Sequence, residues 1–151
     1  MVTQKVVHPN SATQEAVSAR VPAATRVEKP WGWELLWTHP DLPYCGKVLH
    51  IWAGHRLSLQ VHEAKTESWL VVLGRAQVVW EDGDGNLEEC ELFPGRGYTC
   101  EQGRKHRLVG ITDCDVVEVS TPESGTTWRL EDDYGRPDET ESDRNVERQL
   151  T

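Results

Sequence analysis

Short segments with the patterns of β-strands fill the sequence from Trp33 to Val119. Apolar or alternating runs recur about every 8–12 residues, and Gly, Pro, Asp and Asn separate them. The predicted strands are Trp33–Thr38, Gly46–Trp52, Arg56–His62, Glu67–Leu73, Ala76–Glu81, Leu87–Leu92, Gly97–Cys100, His106–Ile111 and Asp115–Ser120. No stretch before residue 120 keeps a helical period. The sequence therefore predicts an all-β sandwich, jelly roll or barrel.

The two ends of the chain differ in composition from this middle. Residues 1–25 are rich in Ala, Ser, Thr and Pro and predict a flexible arm, with at most a short helix over Gln14–Arg20. Residues 137–151 are polar and acidic, which predicts a mobile tail or a terminal helix that docks weakly. A single domain is therefore expected over residues 26–136.

Charge and apolar content exclude several classes of function. The net charge of −9 argues against a partner that is nucleic acid. No apolar run is long enough for a membrane span or a secretion signal, so we expect a cytoplasmic protein. Its cysteines form no CxxC pair, which argues against a zinc ribbon and favours reduced thiols: Cys45, Cys90, Cys100 and Cys114.

Four polar residues have a spacing that favours a metal site. Gln60 and His62 share one face of a predicted strand, and Glu67 begins the next strand. His106 begins a later strand, so antiparallel pairing would bring all four together inside the fold. Imidazole and carboxylate suit one divalent ion such as Zn, Mn, Fe, Co or Ni, whereas Gln offers a weaker neutral oxygen.

The same residues resemble the two motifs of the cupin superfamily. Gly54-x5-Gln60-x-His62-x4-Glu67-x6-Gly74 has the spacing of the first motif, with Gln in place of its first His. Gly95-x5-Glu101-x-Gly103-x2-His106 has the spacing of the second, with Glu in place of Pro; Gly110 stands at its closing Asn. The resemblance implies the cupin double-stranded β-helix, a jelly-roll barrel.

Within the cupins, the chain is similar to the type II mannose-6-phosphate isomerase domain over about residues 28–136. The likeness rests on Lys29–Gly32, Tyr44–Ile51, Leu57–Gln60 with His62, Glu118–Pro122 and Arg129–Arg136. Gln60 is the residue that this family has there. The family's acidic opening of the last segment is replaced by Gly125–Arg129, which bears on substrate identity. We expect a cupin without the sugar-phosphate nucleotidyltransferase domain that precedes some relatives.

This resemblance implies a metal-dependent isomerase that interconverts mannose 6-phosphate and fructose 6-phosphate through an enediol. Gln60, His62, Glu67 and His106 would hold the metal. Arg129, Arg136 and Lys29 are the candidates for phosphate binding, with Lys47 as an alternative. The candidates for the base are Lys47, His50 and Glu101; strand alternation turns Lys47 and His50 to opposite faces, so at most one of these two serves. A homodimer is also expected by resemblance.

Two other functions are compatible with this sequence. One is a different cupin metalloenzyme, such as a dioxygenase, epimerase or lyase, although the weak Gln ligand leans against oxygen chemistry. The other is a cupin that binds a small molecule, or a protein partner through its acidic tail, without turnover.

Overall fold

The structure, a computed structural model, describes residues 24–149. These residues form eleven β-strands and one α-helix: β1 (Thr25–Lys29), β2 (Gly32–Leu36), β3 (Cys45–Ile51), β4 (Leu59–His62), β5 (Glu67–Leu73), β6 (Ala76–Glu81), β7 (Leu87–Leu92), β8 (Tyr98–Cys100), β9 (His106–Gly110), β10 (Cys114–Ser120), β11 (Thr127–Glu131) and α1 (Glu141–Gln149). In this part of the chain, no helix combines the length and apolar character needed to cross a bilayer.

Two antiparallel sheets face each other across the core. One has the strand order β1-β2-β3-β10-β5-β8, and the other has the order β11-β4-β9-β6-β7. Several neighbouring strands, such as β3 and β10 or β4 and β9, are distant in the chain, as in a jelly roll. The prediction of an all-β cupin barrel is confirmed.

Alternating side chains decide which face of each strand is buried. Along β10, Cys114, Val116, Glu118 and Ser120 are buried, whereas the residues between them are more exposed. The apolar members of such inward rows form one core that includes Ile51, Trp69, Val78 and Leu108. Each buried side chain of this size contributes about 1.5–3 kcal/mol relative to an exposed one. The same alternation brings Glu118 to the inner face.

Three of the predicted strands agree with the structure at both ends. Both bounds are correct for Glu67–Leu73, Ala76–Glu81 and Leu87–Leu92. The strands β1 and β11 were not predicted. Each lies at the edge of its sheet, where one side pairs with no neighbour and charged side chains are tolerated, so neither shows a clear apolar alternation.

Of the two alternatives predicted for residues 137–151, the described part shows a helix, α1. Thr140 and Asp143 cap α1 reciprocally, because the Thr140 backbone donates to Asp143 Oδ2 at 2.9 Å and the Asp143 backbone donates to Thr140 Oγ1 at 3.2 Å. Arg144 of this helix is 5% exposed, so the helix is docked against the domain. The predicted arm lies outside the described residues except for Ala24 and Thr25, as does the predicted helix at 14–20.

Candidate metal centre

Three of the four predicted metal ligands meet inside the barrel. His62, Glu67 and His106 are buried, and one ligand atom from each lies within 4.8 Å of the others. Glu67 Oε1 is 2.7 Å from His106 Nε2 and 3.3 Å from His62 Nε2. Within residues 24–149 this is the one group of three or more His, Cys, Asp or Glu side chains with such a geometry.

Strand pairing produces this convergence. Gln60 of β4 pairs directly with His106 of β9, which places His62 two residues further along the same face. Glu67 begins β5 in the opposite sheet and reaches the histidines across the barrel. The ligands therefore come from both sheets.

Partners of the second ring nitrogens orient the two imidazoles. His106 Nδ1 lies 2.9 Å from the Arg104 carbonyl oxygen, which can only accept a hydrogen bond, so this nitrogen carries a proton. His62 Nδ1 lies 3.0 Å from Thr127 Oγ1. In both rings Nε2 is left facing Glu67. Such support of the outer nitrogen is typical of metal-binding histidines, and the donor set fits a divalent metal.

The charges of the cluster are set by burial and by Lys65. Burial, together with the Lys65 ammonium, lowers the pKa of His62 to about 4, so that its ring is neutral. Burial opposes a charge on His106, but the Glu67 carboxylate outweighs it and raises that pKa to about 10. Lys65 and the histidines hold the pKa of Glu67 well below its usual range, against the effect of burial. A metal ion would replace the proton between His106 and Glu67.

Gln60 lies beside the histidines with its amide turned the other way. Its Nε2 is 3.4 Å from both His62 Nε2 and His106 Nε2, and its Oε1 accepts a hydrogen bond from Ser58 Oγ at 2.9 Å. An amide nitrogen does not bind a metal, so ligation by Gln60 requires a half-turn of the amide group. Its role as a fourth ligand stays a prediction.

A buried ion-pair network surrounds the ligands. Lys65 Nζ contacts Glu67 Oε2, the oxygen less close to the histidines, and donates to Glu118 Oε1 at 2.9 Å. Glu123 Oε1 is 2.5 Å from Lys47 Nζ and 3.8 Å from Lys65 Nζ. Sequence reasoning did not assign Lys65, Glu118 or Glu123. Only Glu118 carried a usable signal, because strand alternation places it on the face of Val116.

The predicted phosphate ligands line the cavity that opens beside His62. The cavity measures about 60 Å³, room for a few water molecules. Arg129, Arg136 and Lys29 all line it, and pairing of β11 with β4 sets Arg129 opposite Gln60. Each is engaged by a carboxylate: Arg129 by Glu139, Arg136 by Asp132, and Lys29 by Glu34 and Glu147.

The structure does not favour any of the three predicted bases. His50 stacks on Trp33 at 4.8 Å and contacts Asp115 at 2.6 Å, so it lies on the other face of β3, away from the cavity. Glu101 is exposed beside Arg104. Alternation along β3 and the loop after β8 turn these two side chains outward, so their positions do not support either as the base.

Lys47 does line the cavity, but it is poorly suited to accept a proton. Its Nζ contacts Glu34 at 3.2 Å and Glu123 at 2.5 Å. Burial would lower its pKa, but Glu123 and Glu34 outweigh burial and raise it far above the usual range. The lysine is therefore held as an ammonium ion, which suits an anion-binding role better than that of a base.

Comparison with known proteins identifies the domain. The family model for the mannose-6-phosphate isomerase C-terminal domain matches residues 17–136. The chain belongs to this family. A curated relative, the alginate biosynthesis protein AlgA of Pseudomonas aeruginosa, is 33% identical over 117 residues. That match covers 73% of this chain and only 23% of AlgA, so the chain spans less than a quarter of its relative's length.

Solved structures agree with the cupin fold of this mannose-6-phosphate isomerase C-terminal domain. Oxalate decarboxylase of Lactobacillus farciminis, in a formate complex, has a TM-score of 0.61 at 21% identity and covers 71% of this chain and 34% of that chain. Bacillus subtilis oxalate decarboxylase, described with Mn(II) centres, has a TM-score of 0.62 at 17% identity and covers 71% and 30%. KdgF from Halomonas has a TM-score of 0.53 at 22% identity and covers 62% and 82%.

Proposed function

We propose that this domain is a metal-dependent sugar-phosphate isomerase that interconverts mannose 6-phosphate and fructose 6-phosphate. One observation carries the proposal: His62, a member of the candidate metal cluster, lines the same cavity as Arg129 and Arg136. Membership of the mannose-6-phosphate isomerase C-terminal family supports the substrate class.

The metal cluster and the arginines would act on different parts of the substrate. When bound by His62, Glu67 and His106, a divalent metal supplies Lewis-acid stabilisation of the oxyanion that develops at the sugar carbonyl. Arg129 and Arg136 would bind the phosphate through paired N–H donors, which match phosphate oxygens better than a lysine does. Because the cavity is small, the substrate would have to displace carboxylates such as Glu139 from these arginines.

Glu118 is our candidate for the group that moves the proton from C2 to C1. It is buried, lines the cavity and accepts a hydrogen bond from Lys65 at 2.9 Å. Burial and the nearby Glu67 raise the pKa of its carboxyl group, which brings it closer to the range useful for proton transfer near neutral pH. Replacement by Gln keeps the shape of the side chain and removes this capacity.

The decisive experiment begins with bound metal. Protein purified without nickel is analysed by elemental mass spectrometry, then loaded with Mn²⁺, which the fold relative from Bacillus subtilis makes the first choice. Formation of fructose 6-phosphate from mannose 6-phosphate is followed by NMR in deuterated water. We expect turnover with deuterium incorporation in the wild type and in E101Q and H50A, the controls outside the cavity.

Two variants give the opposite expectation. The triple variant of Gln60, His62 and His106 to Ala should lose metal and turnover together, and E118Q should keep metal but lose deuterium incorporation. Turnover in metal-loaded wild type no greater than in the triple variant would refute the isomerase. Metal binding without turnover would instead favour a ligand-binding cupin, and oxygen uptake with Fe(II) would favour a dioxygenase.

A homodimer is part of the same proposal. The outer face of the larger sheet exposes Leu70, Val72 and Val119, with exposed fractions of 37%, 56% and 44%. Exposed apolar residues that lie together on one sheet face are typical of association surfaces. Light scattering after size-exclusion chromatography measures the mass directly; a single-chain mass at all concentrations would contradict this.

A further inference from the structure

The C-terminal helix α1 makes buried contacts with the loop that joins β10 to β11. It follows the residues matched by the family model, which end at residue 136. Arg144 and Arg148 lie four residues apart, so both side chains project from the same side of the helix. Arg144 contacts the hydrogen-bond partner of one candidate ligand directly, whereas Arg148 is linked to another through Glu123 and Lys65.

Arg144 is tied to the strand that orients His62. Its guanidinium donates to the Glu123 carbonyl at 2.9 Å, the Gly125 carbonyl at 2.5 Å and Thr127 Oγ1 at 3.4 Å. Thr127 Oγ1 is the partner of His62 Nδ1. The guanidinium thereby fixes both the loop and the hydroxyl group on which the orientation of the His62 ring depends.

Arg148 is tied to the network that holds Glu67. Its Nη2 contacts Glu123 Oε2, while Glu123 Oε1 faces Lys47 and Lys65. Lys65 in turn contacts Glu67 Oε2. All of these side chains are largely buried, so loss of one charge would leave its partner uncompensated and the others would rearrange.

We propose that α1 helps to hold the metal ligands in place, with Arg144 and Arg148 as positioning residues for His62 and Glu67. Arg144 acts through Thr127, and Arg148 acts through Glu123 and Lys65. This inference rests on the metal-binding part of the proposed function and does not depend on the substrate.

The test compares metal binding in R144M and R148M with the wild type. Methionine keeps the length of the side chain and removes the donors. Removal of outer partners of metal ligands weakens metal affinity about 10–100-fold, and we expect about tenfold for each variant in a Co²⁺ titration. The visible absorption bands of bound Co²⁺ should also shift, since the ligands change geometry. A general loss of stability would lower the folded fraction without moving these bands.

Two kinds of variant complete the experiment. V146A changes a side chain on the same helix that is 54% exposed, and it should keep wild-type affinity and spectrum. R144K and R148K should recover part of the affinity, and they decide the question if a methionine variant fails to fold. Folded variants with wild-type affinity and spectrum would overturn the inference, whereas a wild type that binds no Co²⁺ would overturn the proposed function itself.

Discussion

Lys65 and Glu67 form a buried ion pair in which the ammonium group contacts one carboxylate oxygen, while the other oxygen faces both histidines. The pair leaves Glu67 a single oxygen for a metal ion. The Lys65 ammonium group also lies beside a candidate cation site, and the carboxylates of Glu118 and Glu123 compensate its positive charge.

Lys65→Met should destabilise the metal-free protein strongly. The variant leaves Glu67 and Glu118 buried without their cation, and breaking such a pair costs about 3–5 kcal/mol. Urea denaturation in the presence of a chelator measures this loss. Lys105→Met removes a partly exposed pair with Glu81 and should have a much smaller effect, because water screens that pair. Equal losses in both variants would contradict a special role for Lys65.

Gln60→Ala should weaken metal binding less than His62→Ala does. An amide oxygen is a weaker ligand than imidazole, and here it must first turn towards the site. We expect a loss of about tenfold for Gln60→Ala, little or no binding for His62→Ala, and a gain for Gln60→His, all measured by Mn²⁺ titration calorimetry. If Gln60→Ala binds like the wild type, Gln60 is not a ligand.

Gly74 and Gly54 offer a matched pair of backbone positions. Both have positive φ, +71° and +74°, but a Cβ at Gly74 would lie 2.1 Å from the Asp113 carbonyl oxygen, whereas one at Gly54 meets nothing within 4 Å. Alanine at Gly54 should cost about 1–2 kcal/mol from the left-handed backbone alone. Alanine at Gly74 should cost distinctly more. Thermal unfolding of the two variants provides the comparison, and similar losses would count against the crowding at Gly74.

The contribution of Asp132 to the free energy of unfolding should be lost as the pH falls. Asp132 accepts hydrogen bonds from the Arg136 side chain at 2.5 Å and from the Arg136 backbone at 2.8 Å, which lower its pKa against the effect of burial. A depressed folded pKa adds stability above the unfolded value of about 3.9, and this gain disappears as the pH falls through the folded value.

Asp132→Asn should therefore lower the unfolding free energy at pH 7 by about 1–2 kcal/mol and flatten its fall below pH 4. Urea titrations from pH 3 to pH 7 test both effects. A variant that keeps the wild-type slope in acid would show that other carboxylates cause it.

The sequence predicted the parts of this molecule that depend on spacing along single strands. Gln60 and His62 share a face because they are two residues apart, and antiparallel pairing brought His106 beside them. The ion pair of Lys65 with Glu67 could not be predicted, because Lys65 lies in a loop, and loops have no periodic pattern in the sequence. Thr127 was missed for a related reason: β11 is an edge strand with mixed polarity, so its pairing with β4 could not be foreseen.

Spacing along one strand was not enough to choose among the predicted bases. His50 and Lys47 were correctly expected on opposite faces of one strand, and Lys47 is the one that faces the cavity. What spacing could not show is that two glutamates from other segments, Glu34 and Glu123, meet this lysine and fix its charge. Long-range ion pairs of this kind depend on the complete topology.

The candidate metal ligands belong to different sheets, with His62 and His106 on one and Glu67 on the other. A bound ion would thus be a cross-link between two layers that otherwise adhere through apolar packing. Since Glu67 and His106 are far apart in the chain, the unfolded protein offers no comparable site, and binding favours the native state alone. At a thousand times its dissociation constant, an ion would add about 4 kcal/mol to the free energy of unfolding. The supply of metal would then determine the stability of the folded domain.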